Sequence, residues 1–406
     1  MSSPKTTRSD LRSLLAVRAA DELSLQMLSV GTTWYLYSAT RDPMSLAYAG
    51  LAQLLPNMGF ALLAGRAADR FPARKVISLA FLIQAVCLAI FTVNLTVTSP
   101  SPHAIYLLLF LLAGARAFSS PAISALLPHV AGAGQLPRAV ASASSVLQIC
   151  TLLGPVAAGL LFAVSAPGMF AAVTALSVSG MALASQLVTC EVHHIEDQGA
   201  LGGIRYVWTD RLLRALLSLD LAAMLLGGVT ALLPVYARDI LRVGPAGLGW
   251  LRCAPSAGAA IVGLILTRRA IRRSVGTLLL ICVAGFGLAT MVFAVSTRFW
   301  LSLASLTAAG AFDMVSMVVR ETVVQTSTPS GLRGRVNAIH GVFIGVSSEL
   351  GAFESGAVAA WVGAVPAAFL GGVGTLLVVG IWSRLFPEIS RTGQLCEAPP
   401  ENARAA

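Results

Sequence analysis

Charge is what this sequence has least of. Only 11% of its 406 residues are Asp, Glu, Lys or Arg, where an ordinary soluble domain carries about 25%. That deficit excludes a soluble globular protein, and the 56% apolar content excludes a disordered chain. Lysine is almost missing: Lys5 and Lys75 are the two lysines among 28 basic residues, a bias that reads as codon usage rather than chemistry. Cysteine is sparse and unpatterned. Cys87, Cys150, Cys190, Cys253, Cys282 and Cys396 form no C-x-x-C, so neither a disulfide framework nor a zinc site is expected. The four in apolar stretches read as small buried hydrophobes. No Walker loop is found, because glycine-rich pieces such as Gly371-Gly372-Val373-Gly374 sit inside an apolar run, so ATP is not the expected energy source. No Ser/His/Asp cluster or metal-ligand spacing points to an enzyme.

What is there is long apolar runs, with a mean hydropathy of +0.79. A bilayer core about 30 Å thick needs roughly 20 apolar residues per helix. With short loops that is about 33 residues per span, so the length predicts an all-α polytopic membrane protein with close to twelve spans. The runs place them at 14–39, 46–64, 76–98, 104–127, 139–165, 167–188, 213–236, 247–266, 275–296, 300–320, 336–363 and 365–386. Arg18, Asp21 and Glu22 interrupt the first run, which makes it a poor signal peptide and a retained first helix. The longest polar interval, 189–212, carries His193, His194, Glu196 and Asp197 and divides the chain near its middle. The two histidines read as a solvated pair rather than a metal site. The tail 387–406 has a disordered composition.

A net charge of +10 suits nucleic acid or one basic membrane face equally, and the positions of the charges favour the membrane. Twenty basic residues fall in the tails and the loops after even spans, against four, Arg41, Arg238, Arg242 and Arg298, in the loops after odd spans. The bias puts both termini in the cytoplasm. No nucleic-acid partner is expected. An internal repeat sharpens the architecture. Gly65, Arg70, Arg74 and Lys75 match Gly263, Arg268, Arg272 and Arg273 at an offset of 198, and Arg138, Gly154 and Gly159 match Arg335, Gly351 and Gly356 at 197. The expected organisation is therefore two six-helix pseudo-symmetric halves, 1–188 and 213–386, joined by a cytoplasmic loop, 189–212, and followed by the tail, 387–406.

Gly65-Arg66-Ala67-Ala68-Asp69-Arg70-Phe71-Pro72-Ala73-Arg74-Lys75 resembles the signature loop of the major facilitator superfamily, with Pro72 and Ala73 where that pattern has Gly and Arg. Physically this is a charge latch, in which a carboxylate on a helix end pairs with basic groups and a neighbouring helix dipole. The loop would then be a gate, with Gly65, Asp69, Arg70, Arg74 and Lys75 as its residues; an ordinary basic loop is the plainer reading. Gly154-Pro155-Val156-Ala157-Ala158-Gly159 is similar to the antiporter motif of that superfamily. The resemblance implies export; small residues by themselves imply only close helix packing. Gln26-Met27 with Trp34, the run from Ala231 to Asp239, Gly310–Met314, Leu332–Val336 and Glu349–Gly356 resemble the transmembrane secretion-effector branch. That resemblance implies the major facilitator fold and a transporter without naming its cargo.

Ten ionisable residues fall inside spans or at their ends: Arg18, Asp21, Glu22, Arg116, Asp220, Arg252, Asp313, Arg320, Glu349 and Glu354. Each costs about 3 kcal/mol facing lipid at mid-membrane, so ten would cost on the order of 30 kcal/mol, beyond any stability margin. They must pair, neutralise, reach an interface or line a wet cavity. Glu22, Gln26, Arg116, Asp220, Asp313, Glu349 and Glu354 are the expected proton and substrate pathway. Arg18, Glu22 and Gln26 share one helix face, as either a cavity wall or a local Arg18–Glu22 ion pair. Arg116 lies deep in span 4, where the resemblance implies a functional arginine. Asp313, central in span 10, is either a proton carrier or a structural partner. Glu349 and Glu354 are ~140° apart around their helix, so one faces the cavity and the other a neighbouring helix. His340 reads as packed rather than as a relay. Trp34, Tyr37, Phe60, Phe118 and Phe312 are candidate cavity aromatics, with packing as the alternative.

Together these features predict a proton-driven antiporter that exports a small amphipathic molecule such as a drug, siderophore or natural product. It would act as a monomer in the cytoplasmic (inner) membrane, with the proton gradient in place of any cofactor. The rivals are a metabolite importer on the same fold and a non-transporting sensor or assembly subunit.

Overall fold

The computed structural model describes residues 8–98, 100–131, 135–187, 208–268, 275–329 and 332–388, and no strand occurs among them. The helices are α1 (Arg8–Thr40), α2 (Pro43–Arg70), α3 (Ala73–Val97), α4 (Pro102–Ala131), α5 (Leu136–Val164) and α6 (Ala166–Ala184). In the second half they are α7 (Arg211–Gly227), α8 (Gly244–Arg268), α9 (Val275–Val295), α10 (Phe299–Ser327), α11 (Arg333–Val362) and α12 (Ala364–Leu385). From Gly227, α7 continues through a 3-10 turn, one α turn and a π-helical turn at Tyr236–Ile240. Nine of these segments are apolar enough to cross a membrane by length and composition alone. Of the other three, α1 carries Arg18, Asp21 and Glu22, and α11 carries Glu349 and Glu354; the third is α2. Residues 188–207, 269–274 and 389 onward, with His193, His194, Arg272 and Arg273, lie outside the described residues.

Local chemistry sets the helix boundaries. Arg41 takes a left-handed φ of 56°, which turns the chain out of α1. Asp42 then caps α2 by accepting from the Met44 amide at 2.9 Å, just before Pro43 at the first helical position. Ser165 caps α6 in the same way, and Asp210 caps α7 by accepting from the Leu212 and Leu213 amides. Helices overrun the apolar stretches at several ends, α10 to Ser327 and α2 to Arg70. Beyond the hydrocarbon a helix still satisfies its own backbone and has no reason to stop.

Two compact units form, residues 1–195 with 230–253, and residues 196–229 with 254–406. The core of the first gathers Leu14 and Val17 of α1, Ile77 and Phe81 of α3, Ile123 and Leu126 of α4, and Leu187. The core of the second gathers Leu213 and Leu216 of α7, Val275 and Leu279 of α9, Val319 and Val323 of α10, and Val378 of α12. Ile77 and Phe81 stand 198 residues before Val275 and Leu279, so the repeat seen in the loops extends to the two cores. Outside these cores, large apolar side chains such as Leu79, Val93, Ile261 and Leu264 are exposed. A bilayer provides the apolar surroundings that such a surface requires.

Candidate functional site

Buried charge costs free energy unless it is paired or hydrogen-bonded, so chemistry in an apolar chain is sought where charge is buried. In the first unit that place is the middle of α1. Asp21 and Glu22 are each 7% exposed. The Gln26 amide, one helical turn on, donates to Glu22 Oε1 at 2.7 Å. From α4, Arg116 Nη2 donates to Glu22 Oε2 at 2.9 Å and stands 3.8 Å from the Asp21 carboxylate. Thr151 of α5 brings its hydroxyl to 3.5 Å from Glu22 Oε1, and the buried Gln84 of α3 stands beside Asp21. One guanidinium serves two carboxylates, and Asp21 Oδ1 has no hydrogen-bond partner. The Arg116 side chain is 23% exposed, so this cluster opens onto accessible space.

The local Arg18–Glu22 pair that the spacing allowed is not formed among the described residues. Glu22 turns instead to Arg116 of the neighbouring helix α4 through one charge-assisted hydrogen bond at 2.9 Å. Arg18 Nε is buried without a partner. Asp21, Gln84 and Thr151 are the cluster members that the predicted pathway missed. Asp21 was visible as an intramembrane charge, but nothing in the spacing of Gln84 and Thr151 assigns them to α1.

The second unit holds a drier cluster. Asp220 of α7 and Arg320 of α10 pair at 2.7 Å, with their side chains 8% and 4% exposed. Ser316 stands 3.5 Å from Arg320 Nη1. Asp313, two turns before Arg320 on the same helix, joins Asp220, Ser316, Arg320 and Cys282 around a cavity of about 20 Å³. His340 of α11 is buried, with Nε2 unpartnered, and the Arg320 charge reaches it. The structure therefore places Asp220 and Asp313 around one small cavity beside an arginine that the predicted pathway left out. Glu349 and Glu354 are half-buried on α11, and Ser355 stands 3.4 Å from Glu354. Among the described residues no group of three His, Cys, Asp or Glu is placed to hold a metal ion.

The other predicted sites map onto helix contacts and turns. An added Cβ on Gly154 of α5 would meet Gln26 Cβ of α1 at 2.6 Å, and one on Gly159 would meet the Pro245 carbonyl at 2.5 Å. Gly351 of α11 lies equally close to the Met224 carbonyl of α7, at 2.8 Å. Gln26 and Met224 are 198 residues apart and the two glycines 197, so each unit repeats one close contact between corresponding helices. In the signature loop, α2 ends at Arg70 and Pro72 caps the start of α3, where its fixed φ suits a helix entry. Gly65, Arg70 and Lys75 are exposed and Arg74 half-exposed, while the Asp69 side chain lies outside the described residues. At the far end of α1, Tyr37 donates to Asp239 in the π-helical turn, Arg41 stands 3.5 Å from the same carboxylate, and Arg238 lies 5.9 Å from the Trp34 ring centre. Phe60 packs against Phe118 at 5.9 Å.

Known proteins match this arrangement. A family profile described as transmembrane secretion effector covers residues 7–396. The enterobactin exporter EntS of Escherichia coli O1:K1 / APEC is 25% identical over 388 residues, covering 92% of this chain and 91% of that one. EntS of Shigella boydii serotype 18 (strain CDC 3083-94 / BS512) matches to the same extent. Among solved structures, the nucleoside transporter NupG aligns with a TM-score of 0.74 at 14% identity, over 94% of this chain and 99% of that one. The POT family transporter PepTSo aligns with a TM-score of 0.75 at 12% identity, over 96% and 99%. The fold is that of the major facilitator transporters. With nearly its whole length matched, the chain belongs to the transmembrane secretion effector family and is a multi-pass transporter of the major facilitator type, not an enzyme.

Proposed function

We propose that the protein is a secondary active exporter, a proton antiporter that moves a small amphipathic molecule by alternating access. It works as a monomer in the cytoplasmic membrane with both termini on the cytoplasmic side. The observation that carries this reading is that in each unit two intramembrane carboxylates gather at one guanidinium. Asp21 and Glu22 share Arg116, and Asp220 and Asp313 lie around Arg320. A buried carboxylate without a cation of its own is stabilised by taking a proton, and a site that gains and loses one proton per cycle is what coupling requires. Enterobactin export by the EntS relatives supports outward transport and a siderophore-like or drug-like cargo. Glu22, Gln26 and Arg116 form the wall where cargo and proton compete, Asp313 carries a proton in the second unit, and Glu349 and Glu354 extend the pathway along α11. The loop of Gly65, Asp69, Arg70, Arg74 and Lys75 gates the cytoplasmic side.

Inverted membrane vesicles test this directly, with iron-free enterobactin and ethidium as probes. Acidifying the lumen drives probe uptake in wild type, a protonophore abolishes it, and Asp313→Asn and Glu349→Gln each lose the proton-driven component. Uptake that survives both substitutions removes the coupling assignment, and a probe that moves out instead makes the protein an importer.

A further inference from the structure

Arg320 is the most deeply buried cation pair member in the described structure, and its geometry is incomplete. A guanidinium has five N–H donors. Arg320 uses one nitrogen on Asp220 at 2.7 Å, with Ser316 at 3.5 Å from the same nitrogen, and its Nε, fully buried, has no partner. Beside it lies the cavity of about 20 Å³ whose wall includes Asp220, Asp313, Ser316 and Arg320, room for one water molecule. Asp313, Ser316 and Arg320 are spaced i, i+3 and i+7 and so share one face of α10. The ionisable groups around the guanidinium are Asp220 from α7, Asp313 on its own helix, Cys282 from α9 and His340 from α11. One positive charge thus stands at a small cavity that two carboxylates line, paired with Asp220 alone, and burying both carboxylates there as anions is costly.

We propose that Arg320 is the positioning residue of this site, its guanidinium passing from Asp220 to Asp313 when Asp313 gives up its proton and returning when Asp313 is protonated. The Asp313 O–H bond breaks and its proton passes to a water molecule in the cavity, which hands it on to bulk water, and the new carboxylate is met by the guanidinium. Because Asp220 is on α7 while Asp313 shares α10 with Arg320, the exchange releases α10 from α7 and replaces the tie with a pair inside α10, and so links proton loading to helix pairing. The proposal rests on the proton-coupled reading above and assigns Arg320, which that reading leaves without a role.

The test needs no transported substrate. Purified full-length protein in lipid nanodiscs is titrated by infrared difference spectroscopy, following the carbonyl stretch of a protonated carboxylic acid. Wild type shows a band that disappears in Asp313→Asn. In Asp220→Asn the guanidinium is released to Asp313, and the titration of that band moves about 1–3 pH units lower. The double variant Asp220→Asn/Arg320→Gln, which leaves no unpaired cation and guards against misfolding of the single one, returns the titration above that of Asp220→Asn. A band insensitive to Asp313→Asn overturns the proposal, and so does a titration unmoved by Asp220→Asn or identical in the single and double variants. Vesicle transport separates the two readings: proton-driven export with an unmoved titration discards the Arg320 exchange alone, and a moving titration without proton-driven export discards antiport alone.

Discussion

Glu22 accepts hydrogen bonds from its own helix and from Arg116 of α4, with the Thr151 hydroxyl of α5 a further 3.5 Å contact, while Asp21 beside it keeps one oxygen unpartnered. Two adjacent carboxylates are thereby made unequal: one is tied into a network, the other is available to change its protonation. Because Arg116 is part-exposed, its pairing with Glu22 is worth less than a sealed pair yet more than a surface one. Thermal melting in detergent of Glu22→Gln, Arg116→Gln and the double variant is expected to give a coupling energy of about 1–3 kcal/mol. Purely additive losses would mean that the hydrogen-bonded geometry contributes nothing. The presence of intramembrane charge at these positions was legible in the sequence, since an acidic pair in an apolar run is visible on inspection. Which guanidinium Glu22 would choose was not, because Arg18 is nearer in sequence and Arg116 nearer in space.

At the scale of helices, the glycines divide into those that touch and those that do not. A Cβ on Gly159 meets backbone at 2.5 Å, whereas one on Gly65 meets nothing within 4 Å. Gly159→Ala is therefore expected to destabilise the protein by about 1–3 kcal/mol through overpacking, while Gly65→Ala, in open space on a helix, leaves the melting temperature the same or raises it. Equal effects at the two positions would show that the α5 contact is not tight. Helix existence followed from apolar length, and the observed boundaries lie within a few residues of the expected ones except where charge sits at the end. The break-up of α7 into 3-10, α and π turns before Ile240 was not foreseen. Its sequence, Val229 to Ile240, is apolar enough to read as plain helix, and only contacts such as Tyr37 with Asp239 give an irregular turn a place.

For the whole molecule, the distribution of arginine predicts orientation. Alkaline phosphatase fused after residue 41 or 298 is expected to be active in cells, and fused at either terminus or after residue 75, inactive. Activity at the termini would reverse the topology drawn from the positive-inside bias. The repeat is a whole-molecule property as well. It was detected from loop and glycine positions, and the buried residues Ile77 and Phe81 with Val275 and Leu279 extend it to the interior. Residues 230–253 nevertheless group with the first 195, which no offset in the sequence indicated.

By itself the sequence determined that the chain lives in a membrane as a many-helix protein and which residues carry charge inside its apolar runs. Those properties depend on composition and on one-dimensional spacing, because transfer into hydrocarbon acts on each segment almost independently. Only the tertiary structure decided that Arg116 serves Glu22 and Asp21, that Arg320 pairs with Asp220 at a cavity Asp313 also lines, and that Gly154 and Gly351 make the same contact in the two units. Pairing in a dry interior depends on distances of a few ångströms between helices far apart in the chain. A sequence that repeats every 198 residues says which positions correspond, and folding alone says which of them meet.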